Sequence, residues 1–376
     1  MTTPPTGWQP DRQPGPFPSH HGQPPGFDPQ PPPPPGWQQG PLQQPPQKGS
    51  SIKWLLIAVA VLLVIAISVG GTLLFTRDGG GGGETTSASS PPASDIASAG
   101  DTGPVAVITH EPTCKQLLGI TSALSDVQAA GWRQQRATYG PASEWSAETR
   151  TQVIAVTRAI TNAADQMVAL AKETPHRVMR ELYEQFVAYG RAYAASIDDY
   201  IPSDNSLADA NVSFGNTLLG VCTAIDLGSA NRMLPLPTTE PPSRVAAPGN
   251  AADPQRFLKD SAPTCAAWSA NEIAYKAGAR QWEAQDSNIP ASQWTSEQRA
   301  LQESALPVMT TFADEMESTG RQSGNPILED FAVLGSVYLD AYVSTGNTYT
   351  AADSWLVYTI LRLNNAVSAA CIVAGG

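Results

Sequence analysis

"PASEWSAETR", Pro141 to Arg150, and "PASQWTSEQR", Pro290 to Arg299, share six of ten residues. Each spells the entry to a helix. Ser146 and Thr295 are N-cap residues, whose side-chain oxygens accept from backbone N–H groups of the first turn. Glu148 and Glu297 follow, where negative charge suits the helix dipole. Gln298 completes a capping box with Thr295. Trp145 and Trp294 stand just before the cap, and Arg150 and Arg299 hold the fourth helical position. That is the spacing of a hydrophobic staple, with an Arg stem and a cation–π contact replacing the apolar partner. Helix entry is therefore preferred over a ligand motif used twice.

Working outward, more matches appear in order. "PTC" at Pro112 matches "PTC" at Pro263, with Cys114 over Cys265; Trp132 matches Trp282, and Met167 matches Met316. "YEQFVAYGRAY" at Tyr183 aligns with "LEDFAVLGSVY" at Leu328, and Cys222 with Cys371. The offsets are 151, 150, 149, 149, 145 and 149 residues, the third being that of the two PAS segments. These matches describe a tandem duplication: repeat 1 at 111–227 and repeat 2 at 261–376, joined by a Pro-rich linker at 228–260.

Within repeat 1 the pattern predicts helices over Pro112–Arg136, Ser146–Glu173, Pro175–Ile201 and Asp204–Ile225. Val153, Val156, Ile160, Ala163, Met167 and Leu170 recur at spacings of three and four, a helical seam. Repeat 2 follows the same plan, with Pro and Gly breakers between segments. The expected fold is all-α, with two tandem up-down-up-down four-helix bundles. In that topology the start of the first helix and the end of the fourth share one end. The four cysteines sit at those places, which predicts the disulfides Cys114–Cys222 and Cys265–Cys371.

The front of the chain differs in kind. Residues 1–51 hold 17 of the 34 prolines in the first 50 positions, with Gln and Gly, and predict a disordered tail. Pro31 to Pro35 favour polyproline II, a form that docks on aromatic-lined grooves of a cytoplasmic partner. "WLLIAVAVLLVIAISVGGTLLF", Trp54 to Phe75, carries no charge and no Pro. It is long enough to cross the lipid bilayer as one transmembrane helix, placed within 52–76. Ala66 and Gly70 form a small-xxx-small pair, a signal for a homodimer through that helix. Lys48 and Lys53 precede it, which puts the N-terminus in the cytoplasm. All four cysteines follow it, as suits an oxidising exterior. Residues 77–110 read as a Gly/Ser/Thr/Pro linker.

Beyond the apolar run stand 19 Lys and Arg against 32 Asp and Glu, which argues against nucleic acid as a partner. The residues offer little for catalysis, metal or cofactor binding. His110 and His176 alone lie past the apolar run, and neither has a counterpart in the other repeat. No HExxH, CxxC, GxSxG or phosphate-binding loop occurs. Asp198-Asp199, Glu329-Asp330 and the group Asp314, Glu315 and Glu317 are expected on solvated faces, because neighbours on a helix diverge by about 100°. Tyr189, Tyr193, Tyr338 and Tyr342 lie on the third-helix seams, where they form core or line a small pocket. "NVS" at Asn211 is a glycosylation sequon by pattern.

"PPPPPGWQQG" ahead of "KWLLIAVAVLLVIAISVGGTLLF", followed by an Ala/Thr-rich region, resembles the proline-rich single-pass envelope proteins of actinobacteria, mycobacterial ones in particular. The resemblance implies the inner membrane of a thick-walled bacterium, with the C-terminal domains outside. The expected function is a membrane-anchored, non-catalytic envelope protein that binds or scaffolds envelope proteins or wall components. The alternatives are a sensor or signalling adaptor acting through the Pro-rich tail, and an envelope hydrolase.

Overall fold

A computed structural model describes residues 95–232, 239–259 and 263–375. The tail at 1–51, the apolar segment at 54–75 with Ala66 and Gly70, and the linker up to 94 lie outside the described residues. Every long element described is a helix, and no strand occurs among the described residues. Repeat 1 contains α1 (Cys114–Ala129), α2 (Ala147–Glu173), α3 (Arg177–Ser196) and α4 (Asn205–Asp226). Repeat 2 contains α5 (Pro263–Glu283), α6 (Ser296–Gln322), α7 (Pro326–Thr345) and α8 (Ser354–Val373).

The predicted seam of α2 is buried at every one of its six positions, Val153, Val156, Ile160, Ala163, Met167 and Leu170. The first helix is shorter than expected. Gly131, at φ 110°, ends α1, and the chain resumes as one helical turn at Trp132–Gln135. Repeat 2 has no glycine there, and α5 runs unbroken to Glu283.

The third helices show a correction of register. α3 and α7 are both 20 residues long and begin 149 residues apart, as do α2 and α6. The 145-residue alignment over Tyr183 and Leu328 is therefore one helical turn out of step. A four-residue slip nearly closes a 3.6-residue turn, so the same faces still match. In the true register Glu181 stands over Asp330, Tyr189 over Tyr338, and Tyr193 over Tyr342.

The two repeats are not beads on a string. One hydrophobic core runs through both. The largest helix–helix seam in the described protein joins the two fourth helices, α4 and α8. Gly220 makes this approach possible: a Cβ there would stand 2.5 Å from Thr359 Oγ1 and 3.1 Å from its Cα. Past α4, Arg232 pairs with Asp353 at the N-terminal end of α8. α3 meets α7 as well. Equivalent helices packing on each other is the pattern of an isologous two-fold interface, here within one chain.

Both flanking segments are part of this body. Residues 95–111, read as linker up to 110, form a strap with Ile96, Val105, Val107 and Ile108 buried. The strap touches repeat 1 and the connecting segment: Asp101 accepts from the Arg177 backbone N–H at 2.7 Å, and the Val105 carbonyl from Thr239 at 2.8 Å. The described part of the 228–260 linker is anchored at Ser229, Ala230, Ala251 and Leu258, which are buried. Phe257 meets Phe214 of α4 and Phe331 of α7 edge-on, with ring centres 6.2 and 5.4 Å away. The three rings knit the two repeats to the segment that connects them.

Among the described residues, Ala351–Val373, which is α8 with its entry turn, is long and apolar enough to cross a membrane. Its apolar 18-residue window has a mean hydropathy of 1.5 and is 61% buried inside the protein, and the helix is fixed by the Cys371 disulfide and the α4 seam. Such a pattern suits a core helix as well as a span.

Candidate functional site

The helix-entry residues are built alike in both repeats. Ser146 Oγ accepts from the Thr149 N–H at 3.1 Å; Thr295 Oγ1 accepts from Gln298 N–H at 3.2 Å. Gln298 returns the bond to the Thr295 N–H at 2.9 Å, closing the capping box. Trp145 donates to the Gly140 carbonyl at 2.8 Å and Trp294 to that of Ile289 at 2.9 Å. Arg150 and Arg299 lie over these indoles, 5.7 and 5.9 Å from ring centres, and donate to the carbonyls of Ala142 and Ala291. Each tryptophan also packs on a tyrosine that ends the third helix, Tyr200 or Tyr349. The motif thus ties the second helix to the exit of the third. Replacing Trp145 by Ala is expected to cost about 3 kcal/mol, the low end for truncating a buried aromatic. A shift in the thermal midpoint measures it; unchanged stability with lost partner binding would make the motif a ligand site.

The cysteines form Cys114–Cys222 and Cys265–Cys371, with Cα separations of 5.4 and 5.6 Å. Each joins the first and fourth helices of one repeat.

The four tyrosines are core residues. Tyr193 accepts from the Trp132 indole at 3.2 Å, while Tyr342 donates to Gln302 at 3.1 Å, which also accepts from Trp282. Tyr189 stacks on Phe214 under the Arg256 guanidinium. Burial pushes the hydroxyls of Tyr189, Tyr193, Tyr338 and Tyr342 above the usual tyrosine range. Asn211 is fully buried and donates to the Phe186 carbonyl at 2.8 Å, so its sequon serves packing, not glycosylation. His176 bonds the His110 carbonyl at 2.8 Å, an anchor for the strap.

The carboxylates bring the main correction. Asp198 and Asp199 are exposed, as are Asp314 and Glu315. Glu329 and Asp330 are not: they are 2% and 0% exposed. Asp330 accepts two bonds from Arg177 of the other repeat, at 2.7 and 2.9 Å. Its carboxyl also meets that of Glu181, which is fully buried beside Arg180 at 3.2 Å. Glu184 lies 3.7 Å from Arg180. Glu329 accepts from Arg321 at 3.1 Å and from the Ser243 N–H at 2.9 Å. Burial first, then the Asp330 charge, pushes Glu181 well above the ordinary glutamate range. Sequence reasoning missed this cluster because it judged each carboxylate against its own helix. The partner of Asp330 lies 153 residues away.

A surface feature distinguishes the repeats. On α5, Ala266, Ala270, Ile273 and Ala277 are exposed at spacings of four, three and four, with Ile273 at 66%. An open groove of about 280 Å³ beside them lies between α5 and α6, lined by Ala274, Tyr275, Pro307, Val308 and Phe312, with Asn271, Thr311 and Glu315 at its polar edge. The matching α1 positions are Lys115, Gly119, Ser122 and Asp126, an ordinary solvated face.

Comparison with known proteins gives concordant results. A protein of Mycolicibacterium smegmatis, described as uncharacterized, is 41% identical over 283 residues, which is 75% of each chain. No solved structure matches. The model of one family, described as mycobacterial ESX-1 associated protein, matches residues 96–375, the strap and both repeats together. The chain is a member of that mycobacterial ESX-1 associated family.

Proposed function

We propose that this chain is a non-catalytic, membrane-anchored envelope component that docks a helical partner of the ESX-1 secretion machinery. The family supplies the system, and the exposed α5 face is the observation that supports docking. An apolar stripe at heptad-like spacing beside an apolar groove suits a partner helix. The opposite surface of repeat 1 lost or never had it, so the duplicated body carries one such face. The buried acids and bases favour the non-catalytic reading: Arg177 is taken by Asp330 across the repeats, and Arg180 by Glu181 and Glu184 within α3. Residues 54–75 supply the anchor in this reading, with each repeat as a four-helix bundle on the outer side.

The test places a photo-cross-linking residue at Ile273 in the full chain in native cells, with a second at exposed Asp126 on the matching α1 face. Cross-links to secretion-system proteins from Ile273 alone are expected. Deleting residues 1–50 should leave them intact. Equal yields from both positions, or none from Ile273 while secretion survives loss of the whole chain, would overturn the proposal.

A further inference from the structure

The contact between Glu181 and Asp330 is unusual because the two residues occupy equivalent positions, 149 apart, in equivalent helices. A two-fold interface brings one position of each half against itself. Here that position is acidic in both halves, and both side chains are wholly shielded from solvent.

The surrounding groups do not supply enough positive charge. α3 contributes Arg177, Arg180, Glu181 and Glu184, and α7 contributes Asp330. The strap adds Asp101, whose carboxylate lies 3.6 Å from Arg177. Glu329, the next residue on α7, is taken by Arg321 of α6 and Ser243 of the connecting segment. On the far side of α3, Glu111 of the strap is occupied by Thr113 and Thr174, with Thr113 bridging to Tyr183. Two guanidinium groups therefore face four carboxyl groups. A buried carboxylate without a partner is expensive, and two carboxyls in contact hold one charge more cheaply than two.

We propose that a proton shared between Glu181 and Asp330 latches repeat 1 to repeat 2, and that its loss loosens the α3–α7 interface. With the proton present, Glu181 donates to Asp330, and Arg177 completes the Asp330 carboxylate. With the proton gone, two negative charges oppose each other across the interface. The strap closes the site: the carbonyls of Asp101 and Gly103 accept from Arg177 at 2.7 and 3.2 Å. Latch, strap and interface therefore open together.

The sign follows from Glu181, whose folded value lies above its unfolded one. Its contribution is complete below the ordinary glutamate value of about 4.3 and is lost as pH rises through the folded value. The latch is thus tightest on the acidic side of that window. Over that window the opening equilibrium should grow about tenfold per pH unit, the slope for release of one proton.

Hydrogen exchange of α3 and α7 amides in the full chain, corrected for intrinsic exchange rates, reads that slope. Glu181→Gln keeps a donor toward Asp330 at every pH and should abolish it. Asp340→Asn is the control, because Asp340 is raised by burial and by Asp314 and Glu317 at a separate place on α7. It should leave the slope at Arg177 and Asp330 unchanged. Infrared spectra of the unaltered protein supply a readout that needs no variant. A protonated-carboxyl stretch should be present in the window where the slope is read and disappear as α3 and α7 open. A slope that Glu181→Gln leaves unchanged, or a spectrum without that stretch in the same window, would overturn the latch.

Discussion

Replacing Cys114 and Cys222 together by Ser is expected to cost up to about 4.7 kcal/mol, the chain-entropy value for a loop of about 100 residues. The bridge closes a separation of 108 residues, and its counterpart one of 106. Both cysteines of repeat 1 are packed against the core, Cys222 at 1% exposure, so the substitution also places hydroxyls in apolar surroundings. The effect should not stay within repeat 1. Cys222 belongs to α4, the helix that forms the main seam with α8. Fraying α4 therefore weakens repeat 2, and the two repeats should unfold in one transition instead of two. Denaturant titrations of the oxidised, reduced and Ser-substituted protein measure this. A reduced protein with an unchanged midpoint, or one that melts in two separate steps, would contradict it.

Local signals in the chain carried most of the helical plan. Ser146, Thr295 and Gln298 mark helix starts because capping chemistry is confined to a few neighbouring residues. The six-residue seam of α2 reports burial because its period is that of the helix. The third helices were harder. Phe186 and Phe331, Gly190 and Gly335, align attractively at 145 residues, yet a slip of one turn preserves every face. Caps gave the true register: His176 and Asn325 begin the two helices 149 apart. Beyond the two disulfides, non-local packing was not legible. Composition marked 95–110 as linker, although Val105, Val107 and Ile108 are buried across the repeats. Glu329-Asp330 looked like a solvated pair because a helical wheel shows only its own helix. That Arg177 would meet Asp330 depends on how two complete repeats dock, which no spacing within either one encodes.

The docking itself can be measured at that ion pair. Replacing Arg177 by Ala is expected to cost about 3–5 kcal/mol, the usual penalty for leaving a buried charge without its partner. Both Asp330 bonds are lost, along with those to the Asp101 and Gly103 carbonyls. The bond from the residue 177 backbone N–H to Asp101 survives, so the strap keeps that anchor beside those at His110 and Val105. Replacing the pair by apolar residues of similar size, Arg177→Met with Asp330→Leu, should recover much of the loss, since desolvating two charges offsets most of their attraction. Glu181 would then keep Arg180 as its neighbour without an opposing carboxylate. Denaturation midpoints for the two single variants and the double give the coupling energy directly. Additive losses would mean that Arg177 and Asp330 act separately. A strong coupling with a stable double variant would show that the charges select how the repeats meet, while the apolar α4–α8 seam supplies most of the energy.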